Sequence, residues 1–154
     1  MERSDEVVNP LEDDAVHFAD LLFQDAVRAG ASDIHFDPVE SGIRVRFRID
    51  GVLLDTLMLD GDKGFALMRH IKGACGQDPV PASRPVSTGR QITINGLPLD
   101  VRASSAPCVF GEKIAIRLMN MQNQIQRIGR LGLDPEDESQ IQEWAENVSG
   151  TFIV

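Results

Sequence analysis

The sequence predicts an α+β domain built on an antiparallel sheet, and three observations predict it. The apolar period is three to four residues before Gly30 and two residues after it. Two tight-turn dipeptides, Asp50-Gly51 and Asn95-Gly96, each stand between alternating runs, the signature of a two-residue hairpin. One helical stretch, residues 63–75, divides the strands into two groups.

Residues 1–10 read as a loose tail. The first helix follows, with Asp13 or Asp14 as its cap. Val16, Ala19, Phe23 and Ala26 mark its apolar face, and Gly30 its left-handed stop. Ile34 and Phe36 then alternate with Asp33, His35 and Asp37, a short strand that Pro38 is expected to end. In the next strand Ile43, Val45, Phe47 and Ile49 point one way, and Arg44, Arg46, Arg48 and Asp50 the other. Val52–Leu57 is the return strand of that hairpin.

The second helix should run from Lys63 to about Cys75, capped by Asp60 or Asp62 and ended by Gly73 or Gly76. Phe65, Met68, Ile71 and Cys75 give it an apolar face. Residues 77–89 are rich in Pro, Ser and Gly and read as a loop. Strands Arg90–Ile94 and Leu97–Ser104 follow, with Pro98 at a strand start or on an edge. Glu112–Met119 is the last strand of the group. Residues from 120 onward read as a linker, and Asp134-Pro135 then opens a helix with Ile141, Trp144, Ala145 and Val148 on one face. Ser149-Gly150 ends it, and Thr151–Val154 starts a new apolar strand. The organisation expected is a tail (1–10), a folded domain (11–119), and a linker, helix and first strand of a further domain (120–154). The chain therefore reads as a piece of a longer protein.

Composition excludes several classes of function. Hydrophobic residues make up 42% and charged residues 25%, ordinary for a globular chain. Fifteen basic against 24 acidic residues give a net charge of −9, the wrong sign for non-specific nucleic-acid binding. One Trp and no Tyr leave no platform for stacking bases. The charge is uneven: residues 1–30 hold eight acids and two bases, and residues 131–154 six acids and no base. Residues 31–130 hold thirteen bases against ten acids, and only Lys63, Lys72 and Lys113 of those bases are lysines. Cys75 and Cys108 are too few for a disulfide framework or a four-cysteine zinc site and suit a reducing cytosol. The acidic N-terminus has no apolar signal region, and no apolar run reaches the ~18–20 residues of a membrane helix.

Candidate chemistry is sparse. Asp33, His35 and Asp37 share one strand face at spacings of about 6.6–7 Å. An imidazole between two carboxylates could seat a metal, giving a small metal enzyme. Three ligands on one strand make a poor coordination sphere, so a polar face in which His35 donates to a neighbour is the plainer reading. The Arg44, Arg46, Arg48 stripe suits phosphate or an acidic protein surface, or else a solvated face paired with nearby acids. No motif surrounds His17, His35 or His70 as the base of a Ser-His-Asp set, and Cys108 reads as readily as a packed residue as a nucleophile. No Gly-x-x-x-x-Gly-Lys-Ser/Thr loop is present, so the chain is not expected to hydrolyse ATP alone.

The ordered motifs are more specific. They are Gly30-Ala-Ser-Asp-Ile-His-Phe-Asp-Pro38, Val45-Arg-Phe-Arg-Ile-Asp-Gly51, Arg69-His-Ile-Lys72, Gly89-Arg90, Leu99-Asp-Val-Arg102 and Gly111-Glu-Lys-Ile-Ala-Ile-Arg117. In this order and spacing the chain, over about residues 9–154, resembles the secretion ATPases of type II secretion and type IV pilus assembly or retraction. The mid-domain loop Arg84-Pro-Val-Ser-Thr-Gly-Arg90 departs from the family's usual Arg-x-Pro-Gln-Asp-Gly-Arg by the lack of an acid.

The resemblance implies the second N-terminal, PAS-like domain of such a motor. Ser149–Val154 would then be the strand that leads into the P-loop of a RecA-like domain. By the same resemblance, Arg102 and Arg117 contact nucleotide phosphates held by the motor domain. Arg48 and Arg90 are secondary phosphate or interface contacts, and no catalytic residue or metal ligand is expected in this chain. ATP and Mg2+ would belong to the full-length protein, with none expected in this piece. The implied partners are the chain's own RecA-like domain, neighbouring subunits of a hexameric ring and inner-membrane platform proteins, with no nucleic acid and no membrane insertion. The implied location is cytoplasmic, peripheral to the inner membrane. The competing expectation is a stand-alone PAS-like sensor or interaction module, using the sheet face or a pocket under Phe36 and Phe47.

Overall fold

The computed structural model describes residues 10–94, 96–119, 128–146 and 150–151. They fall into two units divided between residues 120 and 121, each described by itself.

In the first unit α1 spans Pro10–Arg28 and is followed by β1 (Ala31–Val39), β2 (Gly42–Ile49) and β3 (Val52–Leu59). Helix α2 (Gly61–Ala74) leads to β4 (Val86–Ile94), β5 (Leu97–Cys108) and β6 (Gly111–Met119). The six strands form one sheet in the order β3-β2-β1-β6-β5-β4, antiparallel at every step. The α+β antiparallel class is therefore the one found. Two three-stranded meanders meet at β1 and β6.

Local chemistry accounts for most element ends. Gly30, at φ 68°, closes α1, its N–H reaching the Val27 carbonyl at 3.1 Å. Asp50 and Gly51 have φ values of 48° and 81°, as a tight two-residue hairpin requires. The Asp60 carboxylate accepts the Lys63 N–H at 3.0 Å and caps α2. Gly76, at φ 78°, turns the chain after α2.

Several expectations need correction. Helix α1 starts at Pro10, so Asp13 and Asp14 lie inside it rather than at its cap. Proline suits a first helical position, where no intrahelical N–H bond is lost. Its buried stripe is Ala15, Ala19, Leu22, Phe23 and Ala26, which keeps Ala19, Phe23 and Ala26 of the expected face, while Val16 is exposed. Pro38 does not end β1 but pairs with Ile43. The β1–β6 ladder stops at Phe36, so at Pro38 the strand has only one ladder and tolerates the missing N–H. The loop is shorter than expected, because β4 already begins at Val86. Phe65 is 44% exposed instead of buried. In the hairpin between β4 and β5, Asn95 lies outside the described residues, while Gly96 takes φ 77°.

Both helices pack on one face of the sheet. Ile34, Phe36, Ile43, Val45, Ile114 and Ile116 present that face, and Phe23, Ala26, Leu67 and Ile71 cover it. No described element of the first unit covers the opposite face. The second unit contains a 3-10 turn at Ile128–Arg130 and helix α3 at Pro135–Glu146, which has no buried residue. Val148, Ser149 and all but Thr151 of the expected strand Thr151–Val154 lie outside the described residues.

Candidate functional site

Antiparallel register assembles the uncovered face row by row. Arg102 on β5 stands opposite Arg117 on β6, Arg117 opposite Asp33 on β1, and Asp33 opposite Arg48 on β2. Of Arg48, Arg90, Arg102 and Arg117, the arginines to which the resemblance gives contacts, three thus share one row across four strands. Arg90 does not join them. Its side chain lies against Gly76, just past the C-terminal end of α2, where a cation suits the helix dipole.

Asp33 organises the row. Its carboxylate accepts the Arg117 Nε–H at 3.1 Å and the Ser32 hydroxyl at 2.8 Å, and pairs with Arg48 Nε at 3.5 Å. Burial alone would raise its pKa. The Ser32 bond, and the bond and charge of Arg117, outweigh burial and hold the carboxyl below its ordinary value. Because Arg117 is held at Nε, its terminal amino groups make no hydrogen bond among the described residues, and the side chain is 67% exposed. Arg102 is exposed and has neither an ion pair nor a hydrogen bond among the described residues. Like charges directly opposite on neighbouring strands repel. Asp33 offsets one member of the Arg102/Arg117 pair and leaves a surplus positive charge beside it.

One row along, His35 lies between Ala115 and Arg46. The Asp33, His35, Asp37 triplet does share a face, but cations already occupy its carboxylates. Asp37 binds Arg46 at 2.7 and 2.8 Å and faces Lys113 at 3.6 Å. Among the described residues no group of His, Cys, Asp and Glu is arranged to hold a metal ion. Part of the arginine stripe is therefore paired with acids across the sheet, Arg46 with Asp37 and Arg48 with Asp33, while the buried Arg44 Nε has no hydrogen-bond partner among the described residues.

Both ring nitrogens of His35 are buried without a hydrogen-bond partner among the described residues. Burial pushes the imidazole below its ordinary value, against the pull of Asp37 and Asp33 and with the help of Lys113 and Arg48. The folded chain therefore binds this proton less tightly than the unfolded chain does. The resulting stability is present above about pH 6.5 and is lost as pH falls through the folded value. The urea midpoint is expected to fall from about pH 7 to about pH 5, and much less so in His35→Asn. Equal slopes in the two proteins would exclude this role.

On the helix side lies an ion pair that sequence reasoning missed. Lys72 Nζ on α2 donates to Glu112 Oε2 on β6 at 2.6 Å and to the Val80 carbonyl at 2.8 Å. Glu112 Oε1 accepts the Ala82 N–H at 3.2 Å. The two side chains are only 3% and 6% exposed. The pair pins the loop after α2 to the start of β6. A signal was available: Glu112 is in phase with Ile114 and Ile116, and a carboxylate on an apolar face requires a cation.

The cysteines differ in environment. Cys108 is exposed, whereas burial pushes the Cys75 thiol up to about 11, against the pull of Arg90.

The motifs that looked separate along the chain are thus halves of two ion pairs, Asp33 with Arg117 and Lys72 with Glu112. The family model for type II/IV secretion system proteins matches residues 11–154. The chain belongs to that family. It is 30% identical over 155 residues to the type IV pilus assembly ATPase PilB of Myxococcus xanthus, covering 99% of this chain and 27% of that protein. It is 29% identical over 145 residues to the type II secretion system protein E of Pseudomonas aeruginosa, covering 93% and 29%. To the HofB homolog protein transport protein of Escherichia coli it is 32% identical over 120 residues, covering 76% and 26%. The chain spans about a quarter of the length of the curated relatives it matches. No helix among its described residues is long and apolar enough to cross a membrane.

Proposed function

We propose that this chain is the regulatory and mechanical N-terminal domain of a hexameric ATPase that powers type II secretion or type IV pilus assembly. In this reading residues 11–119 form the PAS-like domain, and residues 120–154 lead into a RecA-like motor domain. Arg102 and Arg117 meet the phosphates of ATP, which the motor domain holds together with Mg2+. The observation that supports the reading is the facing pair itself. Two exposed guanidinium groups stand side by side, among the described residues one anchored only at Nε and the other with no carboxylate.

A guanidinium keeps its charge and offers a fork that matches phosphate oxygens. Delivered from a second domain, it stabilises the charge that develops in phosphoryl transfer. Arg48 extends the row as a secondary phosphate contact, and Arg90, outside the row, acts as an interface contact. The partners are the motor domain, neighbouring subunits of the ring and platform proteins of the inner membrane, which hold the assembly on the cytoplasmic side.

The test is made in a longer protein that carries the motor domain. Arg117→Ala and Arg102→Ala are each expected to lower the ATPase rate by roughly 10²-fold. An unchanged rate in Arg117→Ala would overturn the assignment.

A further inference from the structure

The uncovered face carries a second cationic feature that the arginine row does not use. A concavity of about 310 Å³ lies at the end of β4, β5 and β6, lined by Ser87, Ser104, Ala106, Lys113 and Ala115 among others. Its position follows from register: Ser87 faces Ser104, Ser104 faces Ala115, and Ala106 faces Lys113. Ala106 and Ala115 are small, so a ligand there can approach the backbone closely.

Three features of its polar groups point the same way. The Ser87 and Ser104 hydroxyls are 3.1 Å apart and share one hydrogen bond. That bond uses one of their two protons, so the other is left to donate outward. Lys113 is 47% exposed, and its ammonium has Asp37 at 3.6 Å, too far for a hydrogen bond. Asp37 is already neutralised by Arg46 at 2.7 Å, so the charge of Lys113 is in surplus. Among the described residues no carboxylate lines the concavity.

We infer that this concavity binds a phosphoryl oxyanion, with Lys113 supplying charge and the Ser87/Ser104 pair supplying a hydroxyl donor. The inference is independent of the role given to Arg102 and Arg117. Arg117 lies four residues from Lys113 along β6, about 13 Å away. With Arg117 held at Asp33 and Lys113 beside Asp37, the two cations occupy different rows of the face.

The test uses the chain itself, labelled with 15N and titrated with inorganic phosphate at constant ionic strength, with AMP in a parallel titration. Saturating amide shifts are expected at Ser87, Ser104, Ala106 and Lys113. Lys113→Met, at an exposed position, should abolish them without lowering the melting temperature, and Ser104→Ala should weaken binding several-fold. AMP saturating at lower concentration than phosphate identifies a nucleotide as the source of the phosphoryl group, and equal saturation identifies free phosphate. Either supports the site. Shifts confined to the surroundings of Arg102 and Arg117 would overturn it while supporting the proposed function. Shifts that never saturate, or that survive in Lys113→Met, would also overturn it.

Discussion

Replacing Glu112 by leucine is expected to destabilise the first unit by about 3–5 kcal/mol, read as a lower urea midpoint. The substitution leaves the Lys72 ammonium 3% exposed with only the Val80 carbonyl as partner among the described residues. It also strips the Ala82 N–H of its acceptor. Desolvation dominates here: an unpaired buried charge costs more than the pair itself contributes. The double variant Lys72→Met/Glu112→Leu should therefore recover most of the loss, since two apolar side chains fill the same space. It should not recover the loop. Residues 77–85 would lose both of their anchors to the pair and become faster targets for proteolysis than in the unmodified chain. If the double variant were as unstable as Glu112→Leu alone, buried charge would not be the cause.

Gly42→Ala is the second large effect. Gly42 begins β2 at φ 140°, a conformation that L side chains rarely adopt. An added Cβ would lie 2.1 Å from the backbone oxygen of Leu59 on β3. A backbone carbonyl within a ladder cannot swing away as a flexible side chain can. Strain and overlap together should cost roughly 2–5 kcal/mol. Gly51→Ala is the control. Gly51 also has positive φ, at 81°, but nothing lies within 4 Å of its Cβ position. It pays only the conformational term, about 1–2 kcal/mol. Thermal melts of the two variants separate overlap from strain, and equal losses would remove overlap as the reason for glycine at position 42.

Much of the fold could be read from the sequence wherever the signal is local. A tight turn needs its residue types within two positions, so Asp50-Gly51 announced the hairpin. Strand alternation has a period of two, so the arginine stripe on β2 was visible before any sheet was built. The errors fall where a neighbour decides. Pro38 was expected to end a strand, but its tolerance depends on how far the β6 ladder reaches. Val16 was expected to be buried, but the roll of α1 is set by the sheet beneath it.

The candidate site was legible only as isolated arginines. That Arg102 faces Arg117, and that Asp33 holds Arg117 by Nε, depends on strand order. Asp33 and Arg117 are 84 positions apart, and Lys72 and Glu112 are 40. No local period spans such distances. The membership of Asp33, Lys72, Glu112 and Arg117 in ordered motifs marked them out, but not with whom they pair.

The junction of the two meanders has a mechanical consequence. Strands β1 and β6 pair only over Asp33–Phe36 against Ile114–Arg117, while the ladders on either side are longer. This short junction is expected to be the seam of the sheet that opens most easily. Lys113 and Arg117 on one half face Asp37 and Asp33 on the other. Drawing Arg117 away toward an outside anion would break its hydrogen bond to Asp33 across the junction, and the stiffness of the sheet would then depend on what the arginine holds.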